Sequence, residues 1–378
     1  MVQLLQETSA ALEPTKLFSA FQIQDAEEST LEVTEPPSTI FPKITGKIGE
    51  FIQSYNYYLK NRLPTTEEKP TTVRLTGTVK LHGTHADLVI SHDNKIRLQS
   101  RNKLSLDPEH DNYDCAKHIL PLEQQILKLR DQFAARYREL NGKNSIQIER
   151  PIIIAGEWIG PKIQKSVALT KLPRRMFVIL GANINNSWVP DQKYSHIHDE
   201  DTGFYNISRA GFYHEELNIL DREASEKRLM KLTLDVEKEC PFAKTFGISG
   251  VGEGIVWKAA HPLGAEAQFW LKTKGPLHSV SNTDKLVTDQ KMANADARER
   301  AKVFAEACVG EMRLEQGWDF LGEMGKERNK SDMAEFVKWL CQDVEVEERK
   351  NIDEVGVDRK LLRKAIGVIG REWYSKRI

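Results

Sequence analysis

The boundary at Gly275-Pro276 divides the chain into two kinds of sequence. Before it, short runs rich in Thr, Val and Ile alternate with glycine-containing turns. The Thr- and Val-rich run ending at Lys80, the alternating Ala86, Leu88 and Ile90, and Lys95 to Ser100 all read as strands, as do Ile152 to Ala155, Met176 to Leu180, Gly254 to Lys258 and Gln268 to Lys272. After it, apolar residues recur at helical spacing: Met333, Phe336, Val337, Leu340 and Cys341 behind Ser331-Asp332, then Leu362, Ala365, Ile366, Ile369 and Trp373 behind Asp358. Asp284 to Met312, rich in Ala, Lys and Glu, also reads as helix. The division predicts an α+β domain over residues 40–276 and an all-helical domain over 277–378. A chain of 378 residues is long enough for each to bury its own core. Residues 1–39, with scattered glutamates and Pro36-Pro37, read as an N-terminal extension.

Two helices are expected inside the first domain: Phe51 to Leu59, and Pro121 to Leu140 with Leu122, Ile126, Leu129, Phe133 and Tyr137 on one stripe. Ser187 to Gly250 reads as a mixed insert. Within it His196 and His198 precede Asp199-Glu200-Asp201, a pattern open to a metal site but better suited to a solvated loop. Lys plus Arg number 54 against 55 Asp plus Glu, so no global field draws the protein to polyanions, and any nucleic-acid contact must come from local patches. Four scattered cysteines without a Cys-x-x-Cys pair suit a reducing compartment and argue against structural zinc. No leader pattern and no membrane-length apolar run is visible. A cytoplasmic or nuclear protein with no membrane partner is expected.

The chemistry concentrates where strands end. Lys80 stands where a strand gives way to the turn at Gly83, a place that presents a side chain. A lysine amine is nucleophilic only when unprotonated, which favours a desolvated or cation-rich pocket. Lys272 and Lys274, two apart on a strand, project to one face and call for an anion; an edge strand guarded by lysine is the plainer alternative, and Trp270 on the same face favours a groove. Glu253 and Glu157 are carboxylates placed by apolar strands, each able to hold a metal or ligand or to act as a structural acceptor. Together with Arg101 they make a set suited to nucleotidyl transfer, in which cations and metal neutralise charge during in-line displacement at phosphorus.

In this order the segments resemble a family. Lys80-Leu81-His82-Gly83-Thr84 is similar to motif I of the covalent nucleotidyltransferases, and Ser100-Arg101-Asn102 to motif Ia. Gly156-Glu157-Trp158, continuing to Gln164, is similar to the Gly-Glu segment of RNA ligases, and Phe177-Val178-Ile179 to motif III. Glu253 to Lys258 resembles motif IV and Leu271 to Lys274 motif V. The histidine in motif I and the Gly160-Pro161-Lys162-Ile163-Gln164 run point to the RNA ligase 2 branch, which includes phage and kinetoplastid editing ligases. The resemblance spans about Ile40 to Pro276. It implies a nucleotidyltransferase fold of antiparallel sheets with flanking helices, ATP-grasp-like, and an ATP-dependent reaction. By that resemblance Lys80 would take AMP from ATP, the AMP would pass to an RNA 5′-phosphate, and a 3′-hydroxyl would displace it.

The resemblance further implies that His82 orients phosphate, Phe177 stacks on adenine, Glu157 bonds the ribose and Lys272 and Lys274 grip phosphates. Val79, Leu81, Arg101 and Lys258 would surround the nucleotide, and Glu253 would hold Mg2+ or Mn2+. An end-processing kinase or phosphatase is a conceivable partner. Two positions depart from the branch: Val79, where Glu is frequent, and His85, where Asn is frequent. They leave room for a catalytically impaired RNA-binding relative. A DNA ligase or a GTP-using capping-type enzyme is the other alternative, against which stands the absence of a barrel-like pattern after Pro276. The basic residues Lys326, Arg328, Lys330, Arg359, Arg363 and Lys364 either form a second wall for RNA or lie on solvated helix faces.

Overall fold

The computed structural model of the protein describes residues 41–63, 69–109, 111–278, 283, 286, 292 and 294–378. The expected N-terminal extension, and most of the helix expected from Asp284, lie outside the described residues.

Two antiparallel sheets form the first domain. One has the order β10-β9-β1-β8, from β1 (Thr72–Lys80), β8 (Tyr213–Asn218), β9 (Gly254–Ala259) and β10 (Trp270–Lys274). The other has the order β3-β2-β4-β5-β6, from β2 (Thr84–Ile90), β3 (Ile96–Gln99), β4 (Ile152–Ile159), β5 (Met176–Ile184) and β6 (Ser187–Trp188). The short β7 (Phe204–Asn206) runs parallel to β5. The chain crosses from the first sheet to the second between Lys80 and Thr84, so the turn of motif I is the switch between them.

The helices cover the sheets through periodic stripes. In α1 (Ile48–Asn61), Ile48, Phe51, Tyr55 and Leu59 are buried at helical spacing. They share a core with Val73, Leu75, Ile255, Trp257 and Leu271 of the first sheet. The second sheet buries Leu88, Ile154 and Phe177 against α2 (Cys115–Ile119) and α3 (Glu123–Asn141), where Ile126, Leu129 and Phe133 form the expected stripe. The segment expected as an insert is integral to the body. It contributes β8, paired with β1, and the 17-residue α4 (Arg222–Lys238), capped by the Asp221 carboxylate accepting from Ala224 N–H, followed by α5 (Pro241–Lys244).

From Ala297 onward the regular structure is helical, as expected: α6 (Ala297–Cys308), α7 (Glu311–Glu323), α8 (Met333–Glu347), α9 (Arg349–Val355) and α10 (Arg359–Ser375). Asp358 caps α10 by accepting from Leu361 N–H. Their stripes meet in a separate core of Phe304, Leu321, Phe336, Leu340, Leu362 and Ile366. A Cβ on Gly370 would come 2.9 Å from Leu340 Cδ1, so glycine there lets α10 lie close on α8. This bundle docks on the first domain through acidic side chains. Glu323 accepts from Ser100 Oγ and Asn102 Nδ2, Asp319 accepts from Tyr113 OH at 2.8 Å, and Glu347 meets Lys43 at 2.6 Å.

Candidate active site

Strand register assembles the site. Lys80 on β1 and Lys274 on β10 both pair with Gly254, which lies on β9 between them. A Cβ on Gly254 would sit 2.0 Å from Thr273 O, so only glycine permits this approach. The preceding residue, Glu253, therefore meets both ammoniums. Lys80 Nζ donates to Oε2 at 2.8 Å and Lys274 Nζ lies 2.8 Å from Oε1, while His82 Nδ1 is 3.3 Å from Oε2. Glu253 is 1% exposed. Burial alone would raise its pKa, but Lys274, Lys80 and His82 outweigh burial and hold the carboxyl well below the usual range.

Beside Lys80 opens a pocket lined by Val79, Leu81, Arg101, Glu157, Lys258 and Lys272, six of the residues that the motifs singled out. Gly83 N–H donates to Glu157 Oε1 at 3.0 Å, because β2 and β4 pair just beyond it, His85 opposite Glu157. Lys258 Nζ donates to Asp191 at 2.9 Å and lies 4.3 Å from the centroid of the Trp270 ring. Burial raises the Asp191 pKa, with Lys258 opposing. Lys272 reaches across to Glu347 of the helical bundle at 4.0 Å. Burial pushes the Lys272 pKa down to about 8, against the pull of Glu347 and with help from Lys274, Lys80 and Arg101.

Phe177 is not in this pocket. It is fully buried on the other face of the second sheet, edge-on to Phe204 at 5.6 Å, with its ring over Gly156. The cause is plain alternation: Phe177 and Ile179 face that core and Val178 and Leu180 the other side, with Phe177 pairing regularly with Trp158. Alternation puts Leu180 on the pocket side instead, just before a bulge at which Gly156 pairs with Ile179 and Ala155 with Gly181. The aromatic ring that does line the pocket is Phe41, 4.4 Å from His85 and 5.2 Å from Trp188 between ring centroids. Sequence reasoning missed Leu180, Phe41 and Asp191; only Phe41, an aromatic before a proline at the domain's start, gave any signal. His85, the departure from the branch, also lines the pocket, its Nε2 2.7 Å from Oδ1 of the buried Asp87.

Among the described residues no three His, Cys, Asp or Glu side chains converge as a metal site, so His196 and His198 do not form one with the following acidic run. Glu253 offers a single carboxylate. That donor set suits a hard divalent ion of the magnesium or manganese type, which completes its shell from phosphate oxygens and water. Among the described residues no helix is long and apolar enough to cross a membrane. Of the six basic residues named in the helical third, Lys326, Arg359 and Arg363 are ion-paired with neighbouring carboxylates, the balanced-face alternative, whereas Arg328 lines a cleft beside His82.

An antiparallel two-sheet body that sets a strand-end lysine against a buried glutamate defines a nucleotidyltransferase-type domain. A family model for RNA ligase matches residues 73–274, just over half the chain, and the chain belongs to that family. No curated protein sequence matches it. Solved structures similar to the chain include a Naegleria gruberi RNA ligase mutant with ATP and Mn, at 14% identity and a TM-score of 0.39, covering 65% of this chain and 59% of that one. Another is the Naegleria gruberi RNA ligase with PPi, at 14% identity and a TM-score of 0.39, covering 66% and 60%. The chain thus spans about 60% of the length of those ligases.

Proposed function

We propose that the protein is an ATP-dependent RNA ligase that joins a 5′-phosphate to a 3′-hydroxyl through a lysyl-AMP and an RNA-adenylate. The observation that carries the reading is the Lys80–Glu253–Lys274 cluster at the switch between the two sheets, in a chain of the RNA ligase family.

The Lys80 amine attacks the α-phosphorus of ATP, a P–N bond forms, and the P–O bond to pyrophosphate breaks. An RNA 5′-phosphate oxygen then takes the AMP from Lys80, and a 3′-hydroxyl oxygen displaces AMP to form the phosphodiester. Val79, Leu81 and Leu180 give the nucleoside apolar walls. One Glu157 oxygen is held by Gly83 N–H, which fixes the carboxylate and leaves its other oxygen for a ribose hydroxyl. Lys272, Lys274 and Arg101 supply positive charge for phosphates. Magnesium or manganese, bound at Glu253 with the phosphates, would neutralise charge on the phosphoryl oxygens.

The test is incubation of the protein and of Lys80→Ala with α-labelled ATP, and separately α-labelled GTP, in magnesium, followed by denaturing electrophoresis. Label from ATP on the wild type alone is expected. A folded wild type that stays unlabelled with magnesium or manganese would refute the reading, and label from GTP alone would move it to the capping class.

A further inference from the structure

A second cleft, of about 830 Å3, shares no lining residue with the pocket beside Lys80, yet His82 stands in its wall. His82 also touches Glu253, so the cleft ends at the reacting centre from another side. Its walls are the loop from Gly160 to Ser166 and the face of α7 that carries Trp318.

The backbone here is unusual. Nine described non-glycine residues have left-handed φ, and five of them, Tyr113, Lys162, Gln164, Ser166 and Arg328, line this one cleft. Such conformations cost energy and persist where surrounding structure enforces them, which is most often at sites. In the loop, Lys162, Gln164 and Ser166 are left-handed at every second position, and Ile163 N–H closes the turn on Gly160 O at 3.2 Å.

The side chains agree. Arg328 has its Nε buried with no hydrogen-bond partner, and its guanidinium lies 5.3 Å from the Trp318 ring centroid. Arg377 lies 5.1 Å from the same centroid and is held there by Glu315 at 2.7 and 2.8 Å. The carboxylates in the lining are engaged: Glu315 also by Lys165, Asp319 by Tyr113, and Glu311 by Trp373. An aromatic ring flanked by guanidinium groups, beside a cationic loop, is the chemistry that holds unpaired bases and their phosphates. A duplex keeps its bases stacked inside and has none to offer such a ring.

We infer that this cleft binds an unpaired stretch of RNA, a base against Trp318 and its arginines and a phosphate on Arg328, so that a single-stranded end is presented to Lys80. The inference rests on the RNA ligase reading and adds the form of the substrate. The experiment uses the full chain and measures binding of a short 5′-phosphorylated single-stranded RNA, and of a blunt RNA duplex with the same end, by fluorescence anisotropy across a salt series. Wild type, Arg328→Ala and Trp318→Leu are compared, with ATP labelling of Lys80 run on each. Arg328→Ala should weaken single-strand binding roughly tenfold and flatten the log–log salt slope by about 0.7. Trp318→Leu should weaken it by a similar factor with the slope unchanged. Both should label as wild type and leave duplex binding, already the weaker, as it was.

Wild-type single-strand binding by Arg328→Ala, or tighter binding of duplex than of single strand by the wild type, would overturn the assignment. Should Trp318→Leu fail to fold, Arg328→Ala decides alone. Normal labelling with unchanged RNA binding removes only the cleft; an unlabelled wild type removes the ligase reading itself.

Discussion

Raising the pH should loosen nucleotide binding without loosening the fold, because one cation of the pocket titrates early. Lys272 has its pKa pushed down to about 8 by burial, with Glu347 pulling the other way. An ammonium with that midpoint is about nine-tenths charged at pH 7, half charged at pH 8 and about one-tenth charged at pH 9. If phosphate binding needs the charged form, KM for ATP in the labelling step should roughly double by pH 8 and rise about fivefold more by pH 9. Stability moves oppositely. Between about 8 and the ordinary lysine value near 10.4 the unfolded chain binds more protons at this position than the folded one, so this group's contribution to stability rises with pH.

Glu347 provides the decisive variant. At 4.0 Å a full charge is worth about 1 to 4 kcal/mol for effective dielectrics between water and a protein surface. Both side chains are about a quarter exposed and Lys43 already shares the carboxylate, so the low end applies, about one pH unit. Glu347→Gln should therefore move the midpoint of the KM profile from about 8 to about 7. Lys272→Arg should flatten the profile, since guanidinium stays charged. The assay is single-turnover labelling from pH 6.5 to 9.5 at several ATP concentrations, with melting curves beside it. A flat wild-type profile, or a Glu347→Gln midpoint that does not move toward acid, would refute the reasoning.

Gly83→Ala places a methyl 2.4 Å from Trp158 O and 2.7 Å from Ile159 Cγ2, and should destabilise by about 1–3 kcal/mol and abolish labelling, read by thermal melting and gel. Glu253→Gln leaves two ammoniums facing each other; expected are a loss of about 3 kcal/mol, the lower end because the lysines are 17–23% exposed, and no labelling at any magnesium or manganese concentration. Phe177→Ala should cost about 3–5 kcal/mol of stability and leave KM for ATP unchanged at temperatures where it stays folded. Leu180→Ala should do the reverse, raising KM with a small change in melting.

Residues whose side is set by simple alternation or register were legible. Lys272 and Lys274 were read as projecting to one face of a strand and calling for an anion between them; in the fold each meets its own carboxylate, Glu347 and Glu253, the second of them already named. Phe177 was placed at the nucleotide by resemblance to motif III alone, whereas its regular pairing opposite Trp158 sets it on the face packed under α2 and α3. β8 and α4 were read as insert because β8 is a strand of mixed polar residues, Tyr213 to Asn218, and α4 carries charge over most of its surface. Asp191 and Glu347 were out of reach for another reason: their partners, Lys258 and Lys272, lie 67 and 75 positions away, and no local pattern marks a charge for a distant mate.

The pairing of Lys80 with Glu253 spans 173 positions, and the second lysine arrives later still. A ribosome therefore delivers Lys80 long before the carboxylate and the final strand that complete its setting. Contacts of such separation form late, after a large loop has closed. A chain halted anywhere between the two halves of this cluster would carry Lys80 without its carboxylate, so on the proposed reaction AMP labelling of a nascent chain should begin only once β9 and β10 have been made and have joined β1.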